Sequence, residues 1–180
     1  MESGAGDGRP ERRGGFYTRA MEIRRIRPDE WHAYRELRLR ALATDPDAFG
    51  DSWEHASARS DADWQRYADP TGGIALVATT QDGFVGMAKG GTPDTRPGTA
   101  AVYGMWVAPE ARRSGVAAAL LDAIEAWARD AGYGTIGLGV NTVNESATRL
   151  YAARGYTDTG ERHRLRDDSD LVIQIMSRPL

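Results

Sequence analysis

The segment from residue 99 to residue 140 constrains the fold of this chain more than any other part of the sequence. It contains a predicted strand over residues 99–107, a turn that includes Pro109, and a long helix that begins near Gly115. Gly132 ends this helix, and a second strand is predicted over residues 135–140, where Gly137 and Gly139 alternate with bulky residues. A strand, a helix and a strand in this order predict two parallel neighbours joined by a crossover.

The rest of the chain predicts antiparallel strands and further helices around this crossover. Apolar runs separated by short polar turns favour a meander of the strands 74–80, 84–89 and 99–107. Three further strands are predicted at residues 21–27, 156–162 and 171–176. Helices are predicted from Pro28 to about Ala43, over residues 48–69 with Trp53, Trp64 and Tyr67 as apolar anchors, and over residues 144–154. The pattern is typical of a mixed α/β domain.

Composition and charge exclude several classes of function. The chain has 180 residues and no cysteine, which excludes disulfides, thiolate nucleophiles and cysteine-ligated metals. The three histidines are scattered without metal-ligand spacing, so we expect no metal. A net charge of -3 gives no electrostatic support for binding nucleic acid. No apolar run approaches the roughly 18 residues of a membrane span, so we expect no membrane association and a cytoplasmic protein.

The first 20 residues differ in composition from the rest. They are rich in glycine and charge and lack an apolar stretch, so we expect residues 1–20 to be a disordered tail without a signal peptide. The predicted folded domain covers residues 21–180. Either Met1 or Met21 can serve as the start of the native chain.

The turn after strand 99–107 has the features of an anion site. Arg112 and Arg113 precede a helix start, where backbone N–H groups lack partners and carry partial positive charge. Gly115 and Ala117 have little side-chain bulk, so an anion can approach the amides. The set suits a pyrophosphate, although a solvated arginine-rich turn is the alternative interpretation. It fits neither a Walker A loop nor a dinucleotide-binding glycine motif.

Two sequence blocks resemble the GCN5-related N-acetyltransferase (GNAT) family over roughly residues 22–178. The first, Arg112-x-x-Gly115-x-Ala117, is similar to the acetyl-CoA signature of that family. The second is Asn144-x-x-Ala147-x-x-Leu150-Tyr151. The resemblance implies a single domain with a six- or seven-stranded mixed sheet, splayed at its centre, with helices on both faces. It also implies acetyl transfer from acetyl-CoA to a primary amine by direct attack in a ternary complex.

The resemblance also implies roles for individual residues. The CoA pyrophosphate would be held by the amides and side chains of Arg112, Arg113, Ser114, Gly115, Val116 and Ala117. The pantetheine arm would pair like an extra strand with the backbone of Met105, Trp106 and Val107. Asn144 would hydrogen-bond near that arm, and Tyr151 would lie near the sulfur as the general acid that protonates the leaving thiolate.

One departure from the family pattern leaves the general base open. Many relatives carry a glutamate on the strand before the signature, at or near position 103, but this chain has Tyr103 and no acid over residues 99–107. An amine with an ordinary pKa of about 10.4 is mostly protonated at neutral pH, so some group must take its proton. The resemblance implies that the helical region of Glu54 and His55 borders the acceptor site, so either residue, acting through water, is a candidate for the base.

Two other functions and several acceptors remain open from the sequence. One is a non-catalytic sensor that binds CoA, and the other is an acyltransferase with a longer acyl-CoA, for which Gly104 and the bare face of Gly137 and Gly139 would leave room. The acceptor is a small-molecule or peptide amine. An excess of aspartate over residues 45–63 hints at a cationic acceptor. Residues 162–168 are interpreted as a solvated charged loop, although the resemblance to the GNAT family implies that this loop edges the acceptor cleft. Exposed strand edges are compatible with a homodimer.

Overall fold

The computed structural model describes residues 21–93 and 96–180. The predicted tail, residues 1–20, lies outside these ranges. Seven strands are present: β1 (Glu22–Arg25), β2 (Ile74–Thr80), β3 (Gly83–Gly91), β4 (Thr99–Val107), β5 (Thr135–Asn141), β6 (Thr157–Arg164) and β7 (Val172–Pro179). The helices are α1 (Trp31–Thr44), α2 (Trp53–Ser57), α3 (Asp61–Ala68), α4 (Val116–Asp130) and α5 (Glu145–Ala153). Single turns of 3-10 helix cover residues 28–30, 46–48 and 109–111.

The strands form one mixed sheet in the order β1-β2-β3-β4-β5-β7-β6. β4 and β5 are parallel neighbours joined through α4, and every other neighbouring pair is antiparallel. The crossover predicted for residues 99–140 is therefore confirmed, as is the predicted mixed sheet.

Alternating strand residues build a core on each face of the sheet. Leu76 of β2 packs with Leu120 and Ile124 of α4, and Tyr151 of α5 joins this core. The next residue, Val77, points to the opposite face and packs in the core formed by α1 and α3. Helices cover both faces, as predicted.

Two details differ from the sequence prediction. Residues 48–69, predicted as one helical region, contain two separate helices, α2 and α3. A new helix begins at Asp61 because Ser60 and Asp63 cap the start of α3 with reciprocal side-chain bonds. Trp53 is 46% exposed, so it is not the anchor we predicted, whereas Trp64 is fully buried. Residues 90–91, predicted as part of a turn, belong to β3. A Cβ on Gly90 would lie 2.7 Å from Trp127, so the missing side chain makes room for a helix residue.

Two absences hold for residues 21–93 and 96–180. No helix in these ranges combines the length and apolar character needed to cross a bilayer. No group of three or more His, Asp or Glu side chains in the same ranges is placed to hold a metal ion. The predictions about nucleic acid, oligomeric state and cellular compartment stay predictions.

Candidate active site

The two central parallel strands separate half-way along their length. β4 and β5 pair only from Thr99 opposite Thr135 to Val102 opposite Leu138. Beyond this point β4 continues to pair with β3, and β5 continues to pair with β7. The predicted central splay is thus present, and it opens a cleft of about 480 Å³ between residues 99–105 and 137–141.

A β-bulge lies where β4 leaves its parallel neighbour. Lys89 pairs with Tyr103 and Met87 pairs with Trp106, so Gly104 and Met105 together lie opposite Ala88 of β3. Gly104 has φ +57°, a left-handed conformation that glycine adopts without strain. A bulge leaves ladder groups unpaired, and here these groups lie beside the cleft.

The turn that precedes α4 presents free amides. Arg113 and Gly115 both have positive φ, +61° and +88°, and α4 begins at Val116. The first amide with a helical acceptor is that of Ala119, which donates to the carbonyl of Gly115 at 3.0 Å. The first N–H groups of a helix have no intrahelical acceptor, and within the described residues the amides of 115–118 find no other protein acceptor. This is the anion-binding geometry that the sequence predicts.

Arg112 is bonded to other parts of the protein, unlike its neighbour Arg113. Its Nε donates to the carbonyl of Val107 at 3.0 Å, and its guanidinium forms an ion pair with Asp45. Asp45 also accepts a 2.7 Å hydrogen bond from the indole of Trp106, whose side chain is buried in the core on the α1 face. Arg112 therefore fastens the turn to α1 and β4. Arg113 is exposed, and its guanidinium has no protein partner in the described part of the chain.

Tyr151 and Asn144, both on α5 or its cap, line the cleft. The side chain of Asn144 caps α5 by accepting from the amide of Ala147 at 3.1 Å, which leaves its NH2 group to donate elsewhere. Tyr151 is 7% exposed, and its hydroxyl has no hydrogen-bond partner within the described residues. Burial raises the pKa of this phenol above its ordinary value, so Tyr151 keeps its proton at neutral pH.

Two loops close the cleft on the side away from α4. The guanidinium of Arg166, in the β6–β7 loop, donates to the carbonyls of Pro46 and Phe49 at 3.0 and 2.8 Å. Asn141 at the end of β5 donates to the carbonyl of Asp47 at 3.0 Å. These bonds join the segment after α1 to the β6–β7 loop and to the end of β5.

The fold brings to the cleft an acid–base pair that the sequence did not assign as a base, although one member, His163, lies in the segment 162–168 that we expect to edge the acceptor cleft. Glu161 and His163 of β6 both line it, with Oε1 and Nε2 2.5 Å apart, and Glu161 also forms an ion pair with Arg96. Glu54 and His55 do not line this cleft. His55 is directed instead to Asp51, with its Nδ1 2.9 Å from the carboxylate.

The aspartates that hinted at a cationic acceptor are largely paired within the protein. Asp45 binds Arg112 and the Trp106 indole, and Asp63 pairs with Arg66. Asp51 is within ion-pair distance of arginines 38 and 59. None of these three carboxylates lines the cleft. These three aspartates therefore give no support to a cationic acceptor, and the nature of the acceptor stays a prediction.

Comparison with known proteins gives the family. Residues 25–156 match the sequence profile of the Acetyltransferase (GNAT) family. This chain belongs to that family. The two motif blocks identified in the sequence lie within the matched residues, so the resemblance is confirmed.

Solved structures of GNAT proteins share the fold. The GNAT acetyltransferase of Streptococcus pneumoniae superposes with a TM-score of 0.74 at 15% identity, covering 89% of this chain and 100% of that one. The protein yncA of Salmonella typhimurium, solved with its cofactor acetyl-CoA, gives a TM-score of 0.73 at 21% identity over 89% of this chain and 94% of its own. At these sequence identities, the structural similarity shows a shared fold alone.

A curated human protein is similar over part of the chain. N-acetyltransferase 8 of Homo sapiens is 32% identical over 98 residues, which is 53% of this chain. The match spans 43% of the length of that protein.

Proposed function

We propose that this GNAT protein transfers the acetyl group of acetyl-CoA to a primary amine by direct attack in a ternary complex. The observation that carries the proposal is the divergence of β4 from β5, which opens one edge of β4 on a cleft that Tyr151 also lines; the Tyr151 hydroxyl has no hydrogen-bond partner within the described residues. A short turn joins β4 to the N-terminus of α4. The strand edge that would bind the pantetheine arm is therefore followed directly by the amides that would bind the pyrophosphate.

The residues along this path fit acetyl-CoA. Residues 113–117 offer backbone N–H groups, the exposed guanidinium of Arg113 and little bulk at Gly115 and Ala117, which suits a pyrophosphate. The edge of β4 over residues 105–107 is unpaired on the β5 side and offers its backbone to the amides of pantetheine. The NH2 group of Asn144 can donate to the same arm.

The chemistry follows from what these residues can do. When bound, the thioester supplies an electrophilic carbonyl and a thiolate leaving group; the amine forms a C–N bond as the C–S bond breaks. The bulge at Gly104 and Met105 lies in the wall of the cleft, and a backbone N–H group freed there would stabilise the charge that develops on the carbonyl oxygen. Tyr151, held neutral by burial, donates its proton to the departing sulfur.

The proton lost by the amine is assigned to the Glu161–His163 pair. Among the side chains that line the cleft, these two are the carboxylate and the imidazole, while arginine stays protonated at any working pH. Their 2.5 Å contact allows a proton accepted by the imidazole to be stabilised by the carboxylate.

The experiment is a thiol-release assay with acetyl-CoA and a panel of amines. We expect release of CoA that depends on an amine and is matched by an equal amount of N-acetylated product. Binding of acetyl-CoA without product from any amine would contradict the proposal and favour the sensor. Faster transfer from propionyl-CoA or succinyl-CoA in competition would instead assign a longer acyl donor.

A further inference from the structure

Arg38 of α1 is a buried arginine whose side chain is only partly bonded. Its side chain is 4% exposed, and its Nε and Nη1 have no hydrogen-bond partner within the described residues. Its Nη2 lies 3.6 Å from Asp51, and its guanidinium stacks 4.2 Å above the ring of Phe49. A buried cation with two unused donors is costly, since desolvation is not offset by hydrogen bonds.

Two more cations surround the same region. Arg59 has one unpartnered guanidinium nitrogen within the described residues, and Lys89 lies with its Nζ 3.8 Å from the ring centre of Tyr67. The nearby carboxylate is Asp51, which is already bonded to Arg59 at 2.9 Å and to the imidazole of His55. Asp63 and Arg66 of α3 form an ion pair with each other. Arg38 and Arg59 therefore share the Asp51 carboxylate, and no carboxylate among the described residues forms an ion pair with Lys89.

The surroundings of Lys89 lower the pKa of its amino group. Burial, followed by the positive charges of Arg38 and Arg59, lowers the pKa of Lys89 to about 8. Burial disfavours a charge of either sign, whereas the contributions of Arg38 and Arg59 disfavour a further cation and favour an anion beside Lys89.

Arg38 brings this positive charge into the cleft. Arg38 and Tyr67 both line it, and a Cβ on Gly104 would lie 3.6 Å from Nη1 of Arg38, so the free donors lie at the bulge in β4. The Glu161–His163 pair belongs to a different wall, on β6. The cleft thus offers an incompletely bonded guanidinium from α1 and an acid–base pair from β6, whose carboxylate is also paired with Arg96.

We propose that Arg38 binds a carboxylate of the acceptor, so that the acceptor is a small primary amine bearing a free carboxylate, such as an amino acid. A guanidinium presents paired N–H donors that match the two oxygens of a carboxylate, and burial strengthens that interaction. The ammonium end of the same molecule then faces Glu161 and His163. This inference rests on the proposed acetyl transfer and narrows its substrate class.

The first test compares amino acids with their amides as acceptors. L-Leucine, L-phenylalanine and L-alanine keep the amine and side chain of the matching amides and differ from them by the carboxylate. We expect kcat/KM to be at least about tenfold higher for the acids, the effect of one charge-assisted contact of about 1.4 kcal/mol or more. Arg38→Met should abolish this preference, Arg38→Lys should keep part of it, and the control Arg35→Met on the same helix should keep it whole. Equal rates for acids and amides would overturn the inference.

The second test detects carboxylate binding without acetyl transfer, by following the titration of Lys89, which is the only lysine in the chain. Protein carrying 13C-labelled lysine is titrated by NMR in the presence of N-acetyl-L-leucine or of N-acetyl-L-leucinamide. The carboxylate should raise the pKa of Lys89 toward its ordinary value, and the neutral amide should not. An unchanged Lys89 titration contradicts the carboxylate site even if amines are acetylated. A shifted titration with no acetylation of any amine supports the site and contradicts the proposed transfer.

Discussion

Two neighbouring tyrosines, Tyr151 and Tyr156, should respond in opposite ways to loss of their hydroxyl groups. Their rings are 5.9 Å apart, but their hydroxyls have different surroundings. That of Tyr151 lines the cleft without a partner in the described part of the chain, whereas that of Tyr156 donates to buried Glu125 at 3.0 Å. Phenylalanine at either position keeps the ring and removes one oxygen.

Tyr151→Phe removes no hydrogen bond between described residues, so its free energy of unfolding should change by less than about 1 kcal/mol. If Tyr151 is the general acid, kcat should fall by about 10² to 10⁴. The Kd for acetyl-CoA should stay within about twofold, because the pyrophosphate and pantetheine contacts are elsewhere.

Tyr156→Phe should show the reverse. Glu125 is 3% exposed, and a hydrogen bond to a charged, buried acceptor contributes about 1.5–3 kcal/mol. In a domain of this size each kcal/mol shifts Tm by roughly 2–4 °C, so Tm should fall by about 3–12 °C. The kcat measured well below the new Tm should be close to that of the unchanged protein.

The assays are differential scanning calorimetry, thiol release and titration of acetyl-CoA, applied to both variants. Retention of more than half of kcat by Tyr151→Phe would refute the general-acid assignment. A loss of Tm in Tyr151→Phe as large as that in Tyr156→Phe would refute the different surroundings of the two hydroxyls.

Four other outcomes are expected. Gly115→Ala and Gly132→Ala, at opposite ends of α4, both place a methyl group at positive φ in open space, so each should cost about 1–2 kcal/mol, but only Gly115→Ala should weaken acetyl-CoA binding in calorimetry. Asp45→Asn should also weaken that binding, since the turn loses its ion pair with Arg112; an unchanged Kd would show that the tie is irrelevant. Arg38→Met should raise the pKa of Lys89 above about 8, because one repelling charge is removed. NMR titration measures this pKa, and a fall would contradict the proximity of the two cations. Between pH 8 and 10.5 the unfolded chain binds more protons at Lys89 than the folded one, so stability to urea should rise with pH across this window, and Lys89→Met should lack that rise.

The crossover and the anion turn could be predicted because their signals are local. The periodic apolar residues of α4, the glycine before it and the glycine after it lie within one short stretch, and each has a direct structural meaning. The same holds for Asn144 and Tyr151, whose spacing on one helix face already places them together.

The acceptor side of the cleft could not be predicted in the same way. Arg38, Arg59 and Lys89 come from α1, the α2–α3 connection and β3, and only the tertiary fold brings them together. In a chain so rich in arginine, one arginine on an amphipathic helix carries no distinguishing signal. Glu161 and His163 do share a strand face by their spacing of two, but that face is defined only once β6 takes its place beside β7.

The most direct measurement of the central claim is a pair of calorimetric titrations, one with acetyl-CoA and one with S-acetylpantetheine, which lacks the pyrophosphate together with the adenosine 3′-phosphate attached to it. If the amides before α4 hold the pyrophosphate and the edge of β4 holds the arm, acetyl-CoA should bind at one site per chain and S-acetylpantetheine at least about tenfold more weakly, since charge-assisted bonds of about 1.5–3 kcal/mol are lost. No heat with acetyl-CoA, or equal affinity for the two compounds, would contradict this account.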